Sequence, residues 1–116
     1  PMGDDVKRSL DAHGVRWRDE ASLPDAVAQS DVVYQTRIQR ERFATPEEAR
    51  AAEGQYVITT ETMRCMKPDA ILLHPLPRVA EIAPEVDPDP RAAYFRQARN
   101  GVFVRMALLA ELLGAG

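Results

Sequence analysis

The chain has 116 residues, 45% hydrophobic and 28% charged, with nine prolines, six glycines and one cysteine. That length suits one domain, the apolar fraction excludes wholesale disorder, and a net charge of −3 without a basic block argues against phosphate-neutralising nucleic-acid binding. No apolar run approaches the ~20 residues that span a bilayer, nothing at the start reads as a secretory signal, and one cysteine with two histidines is too few for a disulfide or a Cys/His metal site.

Val6, Leu10 and Ala12 mark a short amphipathic helix, with Asp4 and Asp5 at its positive end and Gly14 placed to stop it. The proline start, running straight into this helix, suggests a piece of something longer. Val15 to Trp17 alternates as a brief strand. Ser22-Leu23-Pro24-Asp25 has the form of a capping box, and Leu23, Val27 and Ala28 would face the core of the helix it opens. Val32-Val33-Tyr34 is a compact run of the buried-strand type. Thr45-Pro46-Glu47-Glu48 begins a helix that Gly54 closes. Gln55 to Ile58 is a short extended segment, and Thr59 or Thr60 can cap a helix through Cys65. In that helix Cys65, between Met63 and Met66, reads as a packing residue.

Ala70-Ile71-Leu72-Leu73 reads as another buried strand. Pro75, Pro77, Pro84, Pro88 and Pro90 then keep the chain irregular, because proline removes donors and fixes φ. Asp89-Pro90 restarts a helix. Its apolar stripe Phe95, Ala98, Val102, Met106, Leu109 and Leu113 would face the core, with Asn100-Gly101 as a possible kink and Gly114 as the stop. Alternating helices and strands predict an α/β domain: a mainly parallel sheet with helices on both faces, lacking its opening strand.

In such sheets ligands gather beyond the carboxyl ends of the strands. Two segments fall there. Arg37, Gln39, Arg40 and Arg42 follow the strand ending at Tyr34, and guanidinium pairs bidentately with carboxylate or phosphate. They form either an anion clamp or a solvated basic loop with weak surface pairs. His74-Pro75-Leu76-Pro77-Arg78 follows the other strand. Prolines flanking Leu76 present carbonyl acceptors in fixed geometry, suited to ligand N–H groups, or simply make a rigid exit from the strand. Glycine-rich phosphate loops and nucleophile motifs are absent from the sequence, and Asp87 and Asp89 read as a capping turn rather than a calcium loop.

Asp31 to Phe43 closely resembles the Y-x-T-R-[IV]-Q-[KR]-E-R stretch of aspartate carbamoyltransferase catalytic chains. His74-Pro75-Leu76-Pro77-Arg78, with Glu81-Ile82, resembles that family's H-P-L-P-R-x-x-E-I stretch, and Asp87 to Leu109 resembles its C-terminal helices. Order and spacing agree over essentially the whole chain. Pro75 stands where ornithine carbamoyltransferases carry cysteine.

The resemblance implies a Rossmann-like, three-layer aspartate-binding domain over residues 1–116, without its N-terminal carbamoyl-phosphate domain. It implies transfer of a carbamoyl group from carbamoyl phosphate to the α-amino group of L-aspartate in pyrimidine synthesis, without a cofactor or metal. By position, Arg37 would hold a carboxylate of aspartate with Gln39 beside it. Pro75 and Leu76 would offer carbonyls to the carbamoyl amino group, Leu76 and Pro77 would contact carbamoyl phosphate, and Leu76–Pro77 would be cis. His74 would be a framework residue, and Arg78, Glu81 and Arg105 would make salt links that shape the loop. The phosphate loop, a carbonyl-polarising histidine and a lysine from a neighbouring subunit would lie in the other half, so this chain alone is expected to be inactive. Homotrimeric parent chains in the cytoplasm are implied, or in plastids with a response to uridine monophosphate if the parent is plant-type. A non-catalytic module that binds an acidic metabolite or a partner subunit is the competing expectation.

Overall fold

The computed structural model describes residues 2–37, 44–47 and 56–114. Two short strands, β1 (Val32–Tyr34) and β2 (Ile71–Leu73), pair in parallel with Val32 opposite Ile71, Val33 opposite Leu72 and Tyr34 opposite Leu73. Successive side chains of a strand point to opposite faces. Val33 and Leu72 therefore share one face and enter the main core with Val27, Ile58, Met63, Met66, Ile82, Val86 and Tyr94. Ile71 and Leu73 turn the other way, toward a groove walled by the last helix. Helices thus lie on both faces of a parallel sheet, as expected for the α/β class.

Helix α1 (Asp4–Ala12) ends through Gly14, whose φ of 66° few other residues adopt cheaply. The expected strand from Val15 to Trp17 is not formed, since it has no strand to pair with among the described residues. Instead the Trp17 indole donates to Asp11 at 2.8 Å and lies under Lys7, whose ammonium also reaches Asp19 at 2.6 Å. Helix α2 (Leu23–Gln29) starts where expected, with the Ser22 hydroxyl accepting the Asp25 N–H, although Asp25 does not reciprocate. Val27 enters the core and Leu23 packs on its rim, but Ala28 faces outward.

Apart from its first turn at Pro46 and Glu47, the helix expected from Thr45 to Gly54 lies outside the described residues. The extended segment before α3 makes one parallel bridge, Ile58 to Ile82. Helix α3 (Thr60–Cys65) is capped by Thr59 in a reciprocal exchange with Thr62. Met63 and Met66 are buried against α2 and the core, whereas Cys65 is exposed, contrary to the packing expectation. One helical turn cannot aim three nearly consecutive residues at one core.

A 3₁₀ turn (Pro84–Val86) leads to α4 (Tyr94–Leu113). This helix starts four residues later than the Asp89-Pro90 signal suggests. The cause is a long-range competition for backbone groups: Leu72 donates to the Arg91 carbonyl at 2.8 Å, and its carbonyl accepts from Ala93 at 2.8 Å. Residues 91–93 are thereby spent as a bridge to β2. Asp89 instead holds the turn by accepting from the Arg91 backbone and guanidinium. Helix α4 then runs unbroken through Asn100-Gly101, so no kink occurs there, and Gly114 closes it at φ 65°. Its core-facing side also differs from expectation. Tyr94 is buried and Gln97 and Gly101 are half-buried at helical spacing, while Phe95, Val102, Met106, Leu109 and Leu113 are all exposed.

Candidate functional site

Because β1 and β2 are parallel neighbours, their carboxyl ends lie side by side and both segments singled out in the sequence leave from one edge. The ladder extends one step past the strands, with the Gln35 N–H donating to the Leu73 carbonyl at 2.9 Å. The Gln35 side chain reaches the Tyr56 carbonyl, also at 2.9 Å. Two residues further on, Arg37 is exposed at this lip.

On the β2 side, His74 organises the loop. Its ring is buried, and Nδ1 accepts the Leu76 N–H at 2.9 Å. That assignment leaves Nε2 as the donor, and it meets Glu81 Oε1 at 2.9 Å. The other Glu81 oxygen accepts the Val79 and Ala80 N–H groups at 3.1 and 3.0 Å. Burial pushes the Glu81 carboxyl upward, but these backbone donors and the His74 ring outweigh it and settle it below the usual carboxylate value. His74 is thus a framework residue saturated on both nitrogens, with no lone pair left for proton abstraction.

The turn so held contains the cis Leu76–Pro77 bond, with Leu76 in the left-handed region at φ 46°. Leu76 packs its side chain against the core rim, while Pro75 and Pro77 are exposed at the surface. Arg78 closes the loop: its guanidinium grips Asp87 with both nitrogens, one at 2.7 Å, and also donates to the Tyr94 hydroxyl at 3.1 Å. The same hydroxyl donates to Asp87. Arg78 holds Asp87 below its ordinary value, and Asp87 raises Arg78 in turn. Burial, reinforced by Asp87, pushes the Tyr94 phenol up to about 12.

The structure therefore brings Arg37 and Pro75, Leu76 and Pro77 to one lip; Gln39 lies outside the described residues. Arg78 and Glu81 make the expected loop-shaping links, whereas Arg105 makes no ion pair with the described residues and runs back along α4 beside Gly101. Sequence reasoning missed Gln97. Its carbonyl oxygen accepts the His74 N–H at 3.0 Å and its amide nitrogen donates to the Tyr34 hydroxyl at 3.0 Å. A polar residue three positions after Tyr94, on the face that α4 turns to the sheet, was the available signal. Among the described residues no group of three or more His, Cys, Asp or Glu side chains could hold a metal, and no helix is long and apolar enough to cross a membrane.

A parallel sheet flanked by helices, with its polar loops at the strand ends, defines an open-sheet α/β domain, a class whose ligand sites lie at that edge. The model of the aspartate/ornithine carbamoyltransferase Asp/Orn binding domain matches residues 2–112, and the chain belongs to that family. It is 51% identical over 113 residues to the chloroplastic aspartate carbamoyltransferase of Arabidopsis thaliana, covering 97% of this chain and 29% of that protein. The catalytic subunit of M. jannaschii aspartate transcarbamoylase superposes with a TM-score of 0.87 at 39% identity, covering 99% of this chain and 38% of that one. Aspartate transcarbamoylase from Trypanosoma cruzi, in complex with N-(phosphonacetyl)-L-aspartic acid, gives 0.79 at 42% identity over 93% and 36% of the two chains. The chain spans less than two fifths of each of these relatives, and it shares their carbamoyltransferase fold.

Proposed function

We propose that the chain is the amino-acid-binding part of an aspartate carbamoyltransferase. The parent would transfer the carbamoyl group of carbamoyl phosphate to the α-amino group of L-aspartate, an early step of pyrimidine synthesis. A carbon–nitrogen bond forms, the carbon–oxygen bond to phosphate breaks, and the amine gives up a proton; the products are N-carbamoyl-L-aspartate and phosphate. The observation that carries this reading is the parallel β1–β2 pairing, which sends Arg37 and the His74–Arg78 loop out over the same edge.

Each group has a distinct task there. Arg37 pairs with a carboxylate of aspartate and so fixes the nucleophile, and Gln39, two positions on in sequence, would serve the same substrate. The carbonyls of Pro75 and Leu76 accept the N–H groups of the carbamoyl moiety, and Leu76 and Pro77 contact carbamoyl phosphate. Oriented acceptors and a fixed cation lower the barrier through alignment and charge stabilisation, without a covalent intermediate. His74, with both nitrogens engaged, keeps the loop in shape and leaves the substrate amine to lose its proton elsewhere.

The domain would be one of two in the parent. Support comes from the apolar side of α4, where Leu112 and Leu113 are about four-fifths exposed, a surface suited to a neighbouring domain. Phosphate-binding groups from that other domain would complete the site, so residues 1–116 alone should form no product. In the full-length parent, Arg37→Ala should raise the KM for aspartate by at least ~10-fold, the worth of one charge-assisted hydrogen bond of about 1.5–3 kcal/mol. An unchanged aspartate KM would remove the carboxylate clamp.

A further inference from the structure

We propose that Gln97 is a positioning residue, a crossbeam that sets the spacing between the Arg37 limb and the His74–Arg78 loop. This role rests on the transferase reading above. Arg37 leaves β1 three residues past Tyr34, and the substrate-facing carbonyls leave β2 directly after His74. Gln97 touches both exits with one planar amide: its oxygen takes the His74 N–H, and its nitrogen reaches the Tyr34 hydroxyl, each at 3.0 Å. Among the described residues no other side chain bonds both Tyr34 and His74.

The first turn of α4 adds the second half of the device. Residues three apart on a helix lie on one face. Tyr94, three positions before Gln97, holds Arg78 at the far end of the same loop. One rigid helical turn therefore grips the loop at both of its ends and β1 at its tip. The loop's internal lock, His74 to Leu76 and Glu81, fixes its shape, and the Gln35-to-Leu73 ladder bond ties the strand ends through backbone; past that bond, the loop's distance from β1 depends on Gln97. That distance governs how the amine meets the carbamoyl carbon, and a misplacement of about 1 Å can lower a rate on the order of 100-fold. Substrate binding would survive its loss, because Arg37 and the proline-flanked carbonyls each still bind their own substrate although their mutual spacing shifts.

The test uses the full-length parent enzyme with Gln97→Leu, Gln97→Glu, Tyr34→Phe and the Gln97→Leu/Tyr34→Phe pair, measuring kcat, both KM values and thermal stability. Gln97→Leu should lower kcat on the order of tenfold or more while both KM values stay within about threefold. Gln97→Glu keeps an acceptor for the His74 N–H and can accept from the Tyr34 hydroxyl, so it should restore most of kcat. Tyr34→Phe should lower kcat alone yet change nothing further in the Gln97→Leu background. A Gln97→Leu enzyme that melts earlier with kcat within about twofold of wild type would show a purely structural amide and overturn the role. Should Gln97→Leu fail to fold, Tyr34→Phe still decides, because it removes only a surface hydroxyl; an unchanged kcat there overturns the crossbeam. A wild-type parent that forms no carbamoyl-aspartate overturns the transferase reading itself and this role with it, an outcome visible before any variant is made.

Discussion

Glu81→Gln is a change of one atom type at the centre of the loop, and its effect can be worked out from donor counting. Three N–H groups converge on the Glu81 carboxylate: His74 Nε2 at 2.9 Å, Val79 at 3.1 Å and Ala80 at 3.0 Å. A carboxylate accepts all three, but an amide offers one oxygen and one NH₂. If the amide oxygen faces Val79 and Ala80, the NH₂ meets a ring nitrogen that already carries a proton. A tautomer change at His74 would relieve that contact only by aiming Nδ1–H at the Leu76 N–H. If the amide is flipped, the NH₂ faces two backbone donors instead. Every arrangement leaves at least one donor facing another, and with the weakened charge-assisted bonds the loss is about 1–3 kcal/mol, toward the lower end where the donors left over are those of the exposed Val79 and Ala80. Chemical denaturation at neutral pH, monitored at several wavelengths, measures this difference directly. Its pH dependence supplies a second check. The Glu81 pKa is lowered in the fold, so its contribution is complete above the ordinary carboxylate range and is lost as pH falls through the lower folded value. The gap between wild type and variant should therefore narrow on acidification below about pH 4. Equal stabilities at pH 7, or a gap that widens in acid, would refute the donor count.

Tyr94→Phe should make the protein less sensitive to alkali: a phenol raised from 10.0 to about 12 contributes stability below pH 10 that is lost as pH rises through 12, so the wild type should weaken more steeply over that interval in pH-dependent melting. Arg78→Met and Asp87→Asn should be coupled by more than about 1 kcal/mol in a double-mutant cycle, because the half-buried pair is bidentate; additive effects would contradict this. Gly101→Ala should raise the denaturation midpoint by the equivalent of about 0.5–1 kcal/mol through helix propensity. The new methyl meets only the free end of Arg105, at 2.9 Å, which can swing aside; a lowered midpoint would show that the sheet-facing side of α4 tolerates no added atom.

Elements made by local runs were readable from the chain itself. Val32–Tyr34 and Ile71–Leu73 are short apolar stretches between turn residues, and Ser22 and Thr59 announce their helices through side chains that bond within three residues. What failed depended on partners far away in sequence. The start of α4 moved because Leu72 claims the backbone of residues 91–93, a contest invisible to capping rules. The apolar stripe from Phe95 was misread because periodicity identifies a face but does not say what covers it; the sheet takes the adjoining face, through Tyr94, Gln97 and Gly101. The site divides in the same way. Arginines after one strand and a proline-flanked turn after another were legible from residue chemistry and topology. The Glu81 contact that completes the saturation of His74 and the amide ties of Gln97 were not, since they join residues seven, twenty-three and sixty-three positions apart.

The backbone bridge at Leu72 has a further consequence for how the sheet can grow. In a parallel ladder alternate residues turn their N–H and C=O groups to opposite edges. Ile71 and Leu73 address β1, while Leu72 spends its pair on Arg91 and Ala93. The outer margin of β2 is thus closed by a turn too short and too bent to template another strand, one of the ways proteins guard a sheet against sticking to itself. Any additional strand must join beside Val32 and Tyr34, so enlargement of this sheet has a single permitted direction, and the lip that carries Arg37 would then lie in its interior rather than at its border.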